Sequence, residues 1–307
     1  MITRILSGVV LVAILLLVAI LGGNVLLIFT IITGLIGLYE LYKVLAIYKN
    51  KPEDKKDNLL AYAGFIGATV YFVLLAIGGI LPKGISLDFN NWDTLFGAFS
   101  NFNNLQNILS MSYVNLIFYM IVIMLVVFLG IYVFTFPRFN VEQVTFAFFG
   151  IVYVPIFLSF MYMVRCLNGG QYFIWLIFIS SWVCDTCAYF VGSAIGKHKL
   201  APVLSPKKSI EGAIGGVLGA ALVAFIFGYF VEYKIFGGTN NGIKYVIICS
   251  VGAVISQIGD LAASGIKRNK EIKDYGNLIP GHGGILDRFD SVIFASPFIY
   301  LLVQGLF

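Results

Sequence analysis

Charge is scarce in this chain. Asp, Glu, Lys and Arg make up 11% of its 307 residues, against about 25% in a soluble domain. That scarcity excludes an ordinary water-facing surface, because the apolar residues, 60% of the chain, exceed what a soluble core of this length can hide. A mean hydropathy of +0.95 points instead to a bilayer as the solvent. Cysteine is scarce as well. Cys166, Cys184, Cys187 and Cys249 imply no disulfide framework. Cys184-x-x-Cys187 has neither a second CxxC nor a nearby histidine pair, so it reads as small helix-packing residues rather than a redox or metal half-site.

Long apolar runs are what the chain has in abundance, and its 28 Phe and 17 Tyr suit lipid contact and the interfacial belt. Nine runs are long enough to cross a membrane as helices: approximately 5–22, 24–47, 59–80, 113–136, 144–164, 172–196, 210–233, 243–265 and 284–306. The first, opened by Arg4, has the form of a signal peptide; with so many spans behind it, it reads as a retained helix. Gly22 and Gly23 alone separate the first two runs, which predicts a tight turn. The expected fold is all-α, a polytopic membrane protein of about nine transmembrane helices. Its organisation is expected to be three spans plus an external loop (1–112), a middle pair (113–171) and four C-terminal spans (172–307).

Orientation follows from the loop cations. With the N-terminus and the even-numbered loops on one side, that side collects 16 of the 20 Lys and Arg residues, and the other holds Lys83, Arg165, Lys234 and Lys244. The N-terminus is therefore expected in the cytoplasm and the C-terminus outside. The Asn-rich loop 81–112 is then external and carries no recognisable chemistry. Segment 48–58, "YKNKPEDKKDN", mixes both signs and reads as a solvated cytoplasmic loop.

Ionisable residues at membrane depth are costly, so each is a functional candidate. The first five spans have few. Glu40 is an exception and is expected to pair with Lys43 one turn on. The last four spans concentrate the rest. Asp185, Ala188, Gly192 and Gly196 share one helix face, and Gly192-x-x-x-Gly196 invites close backbone approach. Asp185 reads either as a hydrogen-bond anchor between helices or as a site residue. In "LSPKKSIEG" (204–212), Ser205-Pro206 turns the chain, Ser209 is placed to cap the next helix, and Glu211 lies in its first turn. Lys207 and Lys208 beside that helix start read as a topological flank or an anion site.

Asp260, Ser264 and Lys267 form one helical stripe. Pro280, Gly281, Gly283 and Gly284 then bend the chain around His282, and a helix opens with Asp287, Arg288 and Asp290. Carboxylates from two helices beside a basic cluster suit a hard cation bound to phosphates, with the cations offsetting the remaining phosphate charge. His282 reads equally as a loop anchor or a substrate contact.

The stretch 264–290 resembles the signature of the phosphatidate cytidylyltransferases, also called CDP-diacylglycerol synthases. The matching positions are Ser264, Ile266, Lys267, Arg268, Lys273, Asp274, Gly276, Ile279, Pro280, His282, Gly283, Gly284, Ile285, Asp287, Arg288, Phe289 and Asp290. "DTCAYFVGSAIGK" and "SPKKSIEG" resemble two further family blocks. The likeness is strong over about 180–292 and loose over 1–170. It implies a nucleotidyltransferase of phospholipid biosynthesis, converting CTP and phosphatidic acid to CDP-diacylglycerol and pyrophosphate. It also implies Mg²⁺ dependence, a second cation such as K⁺ beside it, a homodimer and a multi-pass place in the plasma membrane among its lipids, with the site facing the cytoplasm. Nucleic acid is not an expected partner.

By position, the resemblance makes Asp260 and Asp287 the metal ligands. It makes Lys267, Arg268, Asp290 and Asp185 catalytic-cavity residues. Ser205, Lys207, Lys208, Glu211, Ser264, Lys273, His282 and Arg288 would bind substrate. Two other readings compete. A membrane lipid or polyprenol kinase would share Mg²⁺ and basic loops but lack the full 264–290 pattern. An ion-coupled secondary transporter would use Asp185, Asp260 and Asp287 as coupling carboxylates, yet the polar residues all lie in one half of the chain, without an inverted repeat.

Overall fold

A computed structural model describes residues 2–49, 58–80, 113–235, 242–281 and 283–307. Loop 81–112, residues 50–57 of the charged segment and His282 lie outside the described residues. The described chain is helical, as the apolar runs require: a backbone in lipid must satisfy its own polar groups. The helices are α1 (Ile2–Leu21), α2 (Gly23–Val44), α3 (Leu59–Ile80), α4 (Tyr113–Thr135), α5 (Val141–Arg165), α6 (Gly170–Ile195), α7 (Ile210–Ile235), α8 (Gly242–Asn269) and α9 (Leu286–Leu306). Eight of them are long and apolar enough to cross a membrane; the apolar stretch of α1, Ser7–Leu21, is shorter. Gly22 and Gly23, at φ 61° and 49°, make the tight turn between α1 and α2 in a conformation that suits glycine.

Three local features depart from the plain helices expected. α5 contains a π turn at Val152–Ile156, which holds Pro155. Proline has no N–H and crowds the preceding turn, and a π turn takes up the mismatch. α6 has a second π turn at Ile179–Val183, two residues before Asp185. Between α6 and α7 the chain is not simply a bend: β1 (Lys199–Ala201) and β2 (Ser205–Ser209) form an antiparallel ribbon with Lys199 opposite Ser209 and Ala201 opposite Ser205.

The chain divides into two compact units, Met1–Tyr48 with Tyr153–Phe307, and Lys49–Val152. In the second, α3 packs on α4 and on the start of α5. Gly67 admits the Met124 side chain. An Asn140–Gln143 capping box closes the start of α5, with Gln143 N donating to Asn140 Oδ1 at 2.8 Å and Asn140 N to Gln143 Oε1 at 3.0 Å.

The first unit carries the polar residues. There α7 packs along Cys184–Ile195 of α6 and along α8. In turn α8 packs on α9, and α9 on Phe157–Arg165 of α5 and on α2. Its core is largely apolar: Leu38, Leu41, Tyr42, Met161, Ile174, Ile177, Tyr245, Ile248, Ala253, Val292 and Ile299 are buried. Glycine brings α6 and α7 together, as the small-residue spacing predicts. A Cβ on Gly212 would stand 2.7 Å from Ala188 O and 3.1 Å from Gly192 Cα. The outer face of α7 shows Leu218, Leu222, Phe225, Tyr229 and Phe230, a stripe suited to lipid and not to water.

Candidate active site

The site is built where α6, β2, α8 and α9 meet. Asp287 lies in the first turn of α9. Its Oδ1 accepts from Lys267 Nζ at 2.8 Å, and its Oδ2 accepts from Tyr275 N at 2.8 Å and Gly284 N at 3.0 Å. The two side chains are 2% and 12% exposed, so this ion pair is shielded from solvent. Lys267 ends α8, where a cation is favoured by the helix dipole, and its ammonium also lies over the Tyr275 ring. Seven residues earlier on α8, Asp260 pairs with Lys208 of β2; both side chains are about a quarter exposed. Asp290, buried one turn into α9, accepts from Ser291 N at 2.8 Å. It senses the charges of Asp260, Lys267 and Asp185, and Asp185 in turn those of Lys208 and Asp260. Four carboxylates and two ammonium groups therefore converge, all within one unit of the chain.

Local sequence explains each placement. Ser209 caps α7 as expected, accepting from Gly212 N at 3.1 Å. Glu211 turns to the preceding loop, where it accepts from Lys197 N at 3.1 Å, His198 N at 3.2 Å and His198 Nδ1 at 2.6 Å. It ties the start of the β-ribbon to α7. Ser205 pairs in the ribbon, and Lys207 points outward, exposed. Ser264 is half-buried on α8 between Asp260 and Lys267. Arg268 is exposed and its Nη1 reaches Ile272 O at 3.5 Å; Lys273 is exposed, and Arg288 half-buried.

α8 ends in a Schellman turn, with Glu271 N bonded to Arg268 O at 3.1 Å and Ile272 N to Lys267 O at 3.0 Å, a pattern that folds the last carbonyls back on the chain. Beyond it, Ile279 N donates to Gly283 O at 2.9 Å, with Gly281 and Gly283 at φ 78° and 87°. This bend returns the chain to α9.

Several site residues escape the sequence reading. Glu40 does not form the expected ion pair with Lys43. It is buried, and its carboxylate accepts from Ile285 N at 3.0 Å and Leu286 N at 2.8 Å; Lys43 is exposed and acts on it only through longer-range charge. The helix-start amides of α9 outcompete a solvated lysine because they are fixed in place and shielded from solvent. Tyr275 is buried; it holds Asp287 with its amide, and its hydroxyl donates to Ala263 O at 3.0 Å. Burial, then the neighbouring Tyr153, Asp290 and Asp287, pushes its phenol well above the ordinary range, so it stays a donor. Tyr153, buried on α5, lies within electrostatic reach of Asp260 and Asp290. Gln257, one turn before Asp260, donates to Cys184 Sγ at 3.2 Å and Ala213 O at 3.1 Å, joining α8 to α6 and α7. Cys184 and Cys187 are thiols, and Cys187 packs against Gly219. Glu40 and Gln257 did leave a trace: both are polar at membrane depth.

The donors are oxygen-only and the carboxylates outnumber the lysines, which fits a hard divalent cation. Among the described residues no three Asp, Glu, His or Cys side chains form a ready cage. A cation here would complete its shell with phosphate and water.

The cytidylyltransferase family pattern matches residues 85–306. The chain is 30% identical over 300 residues to a phosphatidate cytidylyltransferase of Staphylococcus haemolyticus, covering 98% of each chain. It is 30% identical over 282 residues to the Staphylococcus saprophyticus protein of that name, covering 92% of this chain and 91% of the relative. To that of Staphylococcus aureus strain COL it is 39% identical over 166 residues, 54% and 61% of the two chains. With a pattern that runs through α6–α9 and likeness from end to end, this chain belongs to the cytidylyltransferase family.

Proposed function

We propose that the chain transfers CMP from CTP to phosphatidic acid, giving CDP-diacylglycerol and pyrophosphate. Beside the family membership, one observation carries this reading: Asp185, Asp260, Asp287 and Asp290, on three membrane helices, meet Lys267 of α8 and Lys208 of the adjoining β2. A phosphate oxygen of phosphatidate attacks the α-phosphorus of CTP. The bond from that phosphorus to the β-phosphate oxygen breaks, and pyrophosphate leaves. The attacking oxygen is already anionic, so the step needs no strong general base; positioning and charge stabilisation supply the rate. Lys208 and Lys267 offset the repulsion between the two anionic substrates, and exposed Arg268, Lys207 and Lys273 draw CTP from the aqueous side.

Mg²⁺ belongs to this proposal, with Asp260 and Asp287 as its ligands and Asp290 and Asp185 supplying further negative charge. When bound, it neutralises phosphate charge and draws electrons from the α-phosphorus. A second cation such as K⁺, a homodimer and a cytoplasm-facing site in the plasma membrane complete the proposal. Ser7 Oγ donates to Pro280 O at 3.0 Å, which puts the start of α1 on the same side as the α8–α9 bend; the excess of loop cations on that side supports its being the cytoplasmic one.

The test is a mixed-micelle assay of purified protein with labelled CTP and phosphatidate, with Mg²⁺ and K⁺ varied. Labelled CDP-diacylglycerol and pyrophosphate, formed only with both substrates and Mg²⁺, are expected. CTP-driven phosphorylation of a lipid alcohol with release of CDP, or no turnover, overturns the proposal.

A further inference from the structure

We propose that Glu40 is a positioning residue for the Asp287–Lys267 pair and acts through the first turn of α9. It lies on α2, 246 residues from its partner Leu286, and is 5% exposed. Three consecutive amides at the start of α9 are divided between two carboxylates. Asp287 takes Gly284 N at 3.0 Å; Glu40 takes Ile285 N at 3.0 Å with Oε1 and Leu286 N at 2.8 Å with Oε2. These are the orphan donors of a helix start, which a carboxylate satisfies while also complementing the helix dipole.

The surroundings are shaped for that carboxylate. A Cβ on Gly276 or on Gly284 would come within 2.5 Å of a Glu40 oxygen. Gly284 does not have a positive φ, so contact with Glu40, not backbone conformation, is what favours glycine there. Among the described residues Glu40 bonds neither Lys267 nor Asp287, and its charge opposes that of Asp287. Its favourable influence on the pair therefore runs through the Ile285 and Leu286 amides, against that direct repulsion. Without it, the Ile285 and Leu286 amides lose their partners in a dry site, and the turn that aims Asp287 at Lys267 frays.

The test uses the full chain in detergent and has two arms. The kinetic arm rests on the cytidylyltransferase reading; the exchange arm does not. Glu40→Gln keeps the size but sets an amide NH₂ against one of the two N–H groups. Hydrogen exchange in peptides covering 276–290 is expected to speed up roughly tenfold or more, as for loss of a charge-assisted bond. Peptides from α6 and α7 should not change. The kcat for CDP-diacylglycerol formation should fall roughly tenfold or more, while the KM for CTP stays within about threefold. Glu40→Asp, which keeps the charge on a shorter arm, should restore part of both.

Gly284→Ala should be harmful in the native background and nearly silent beside Glu40→Ala. Unchanged exchange at 276–290, exchange raised equally throughout the protein, or additive effects of the Gly284 and Glu40 substitutions would each overturn the proposal. If Glu40→Gln does not fold, the same exchange is read on Glu40→Asp. A wild-type chain without turnover would sink the proposed reaction and leave the exchange arm to decide on Glu40.

Discussion

Asp287→Asn is the sharpest perturbation of this site. The carboxylate takes Lys267 Nζ on one oxygen and two backbone amides on the other, at 2.8–3.0 Å. An asparagine oxygen can serve the two amides, which leaves its NH₂ facing the ammonium, donor against donor. With side chains only 2% and 12% exposed, water cannot rescue the stranded cation. Removing one partner of a buried pair costs about 3–5 kcal/mol. If that loss falls on the competent geometry, at about 1.4 kcal/mol per tenfold, activity drops at least 100-fold. Lys267→Met removes the stranded cation, so the double variant should be more stable than the two single losses predict, by about 0.5–3 kcal/mol. Denaturation in detergent gives the stability terms, and labelled CTP incorporation gives the activity. A loss below about 1 kcal/mol for Asp287→Asn, with additive double-variant behaviour, would show that Lys267 finds other partners and that the pair is not the hub of the site.

Lys208→Gln touches a pair that is about a quarter exposed on both sides, so its stability cost should be small, about 1 kcal/mol. The KM for CTP or phosphatidate should rise; unchanged values for both would return Lys208 to a structural role. Glu271 holds φ 53° at the Schellman turn, where a side chain costs about 1–2 kcal/mol. Glu271→Gly should therefore raise the denaturation midpoint, and a lower midpoint would contradict the strain argument. A cysteine replacing exposed Lys270 should react with impermeant reagent only from the cytoplasmic side; labelling from outside would invert the orientation.

The spans were legible because lipid makes the sequence speak in one variable. A stretch that exposes Leu218, Leu222, Phe225 and Phe230 must satisfy its backbone internally in hydrocarbon, and an unbroken apolar run of this length does so as a helix. Asp260, Ser264 and Lys267 were legible as one stripe because helical spacing alone fixes their shared face. What the sequence concealed depends on contacts between distant segments. Glu40 looked paired by its i+3 lysine, yet its donors lie 245 and 246 residues away. Glu211 lies in the first turn of α7 as expected, but nothing local announces His198 as its hydrogen-bond partner. The β-ribbon was missed because Pro206 and two lysines argue against a strand; a two-stranded ribbon has outer edges that tolerate both. The π turns leave no periodicity to read, since each adds a single residue to an otherwise regular helix.

The charge arrangement is the physical argument for the cations proposed above. Lys208 and Lys267 each satisfy one aspartate, Asp260 and Asp287. Asp185 and Asp290 make no ion pair among the described residues, yet both lie within reach of the same lysines. With all four carboxylates ionised, the cluster carries an excess of two negative charges. Such a site alone would repel a nucleoside triphosphate and a phosphatidate. Anionic substrates can dwell there only if positive charge arrives with them or if the lysines exchange an aspartate for a phosphate. The second route becomes easier once the aspartates gain a cation, because neither ion is then left buried and alone. The two pre-formed pairs thus keep lysine and aspartate oriented before substrate enters, and the Lys267–Asp287 pair is shielded from solvent as well. That preparation is useful only if the pairs hold a fixed geometry, which places a structural demand on the turn that carries Asp287 and on the glutamate of α2 that anchors it.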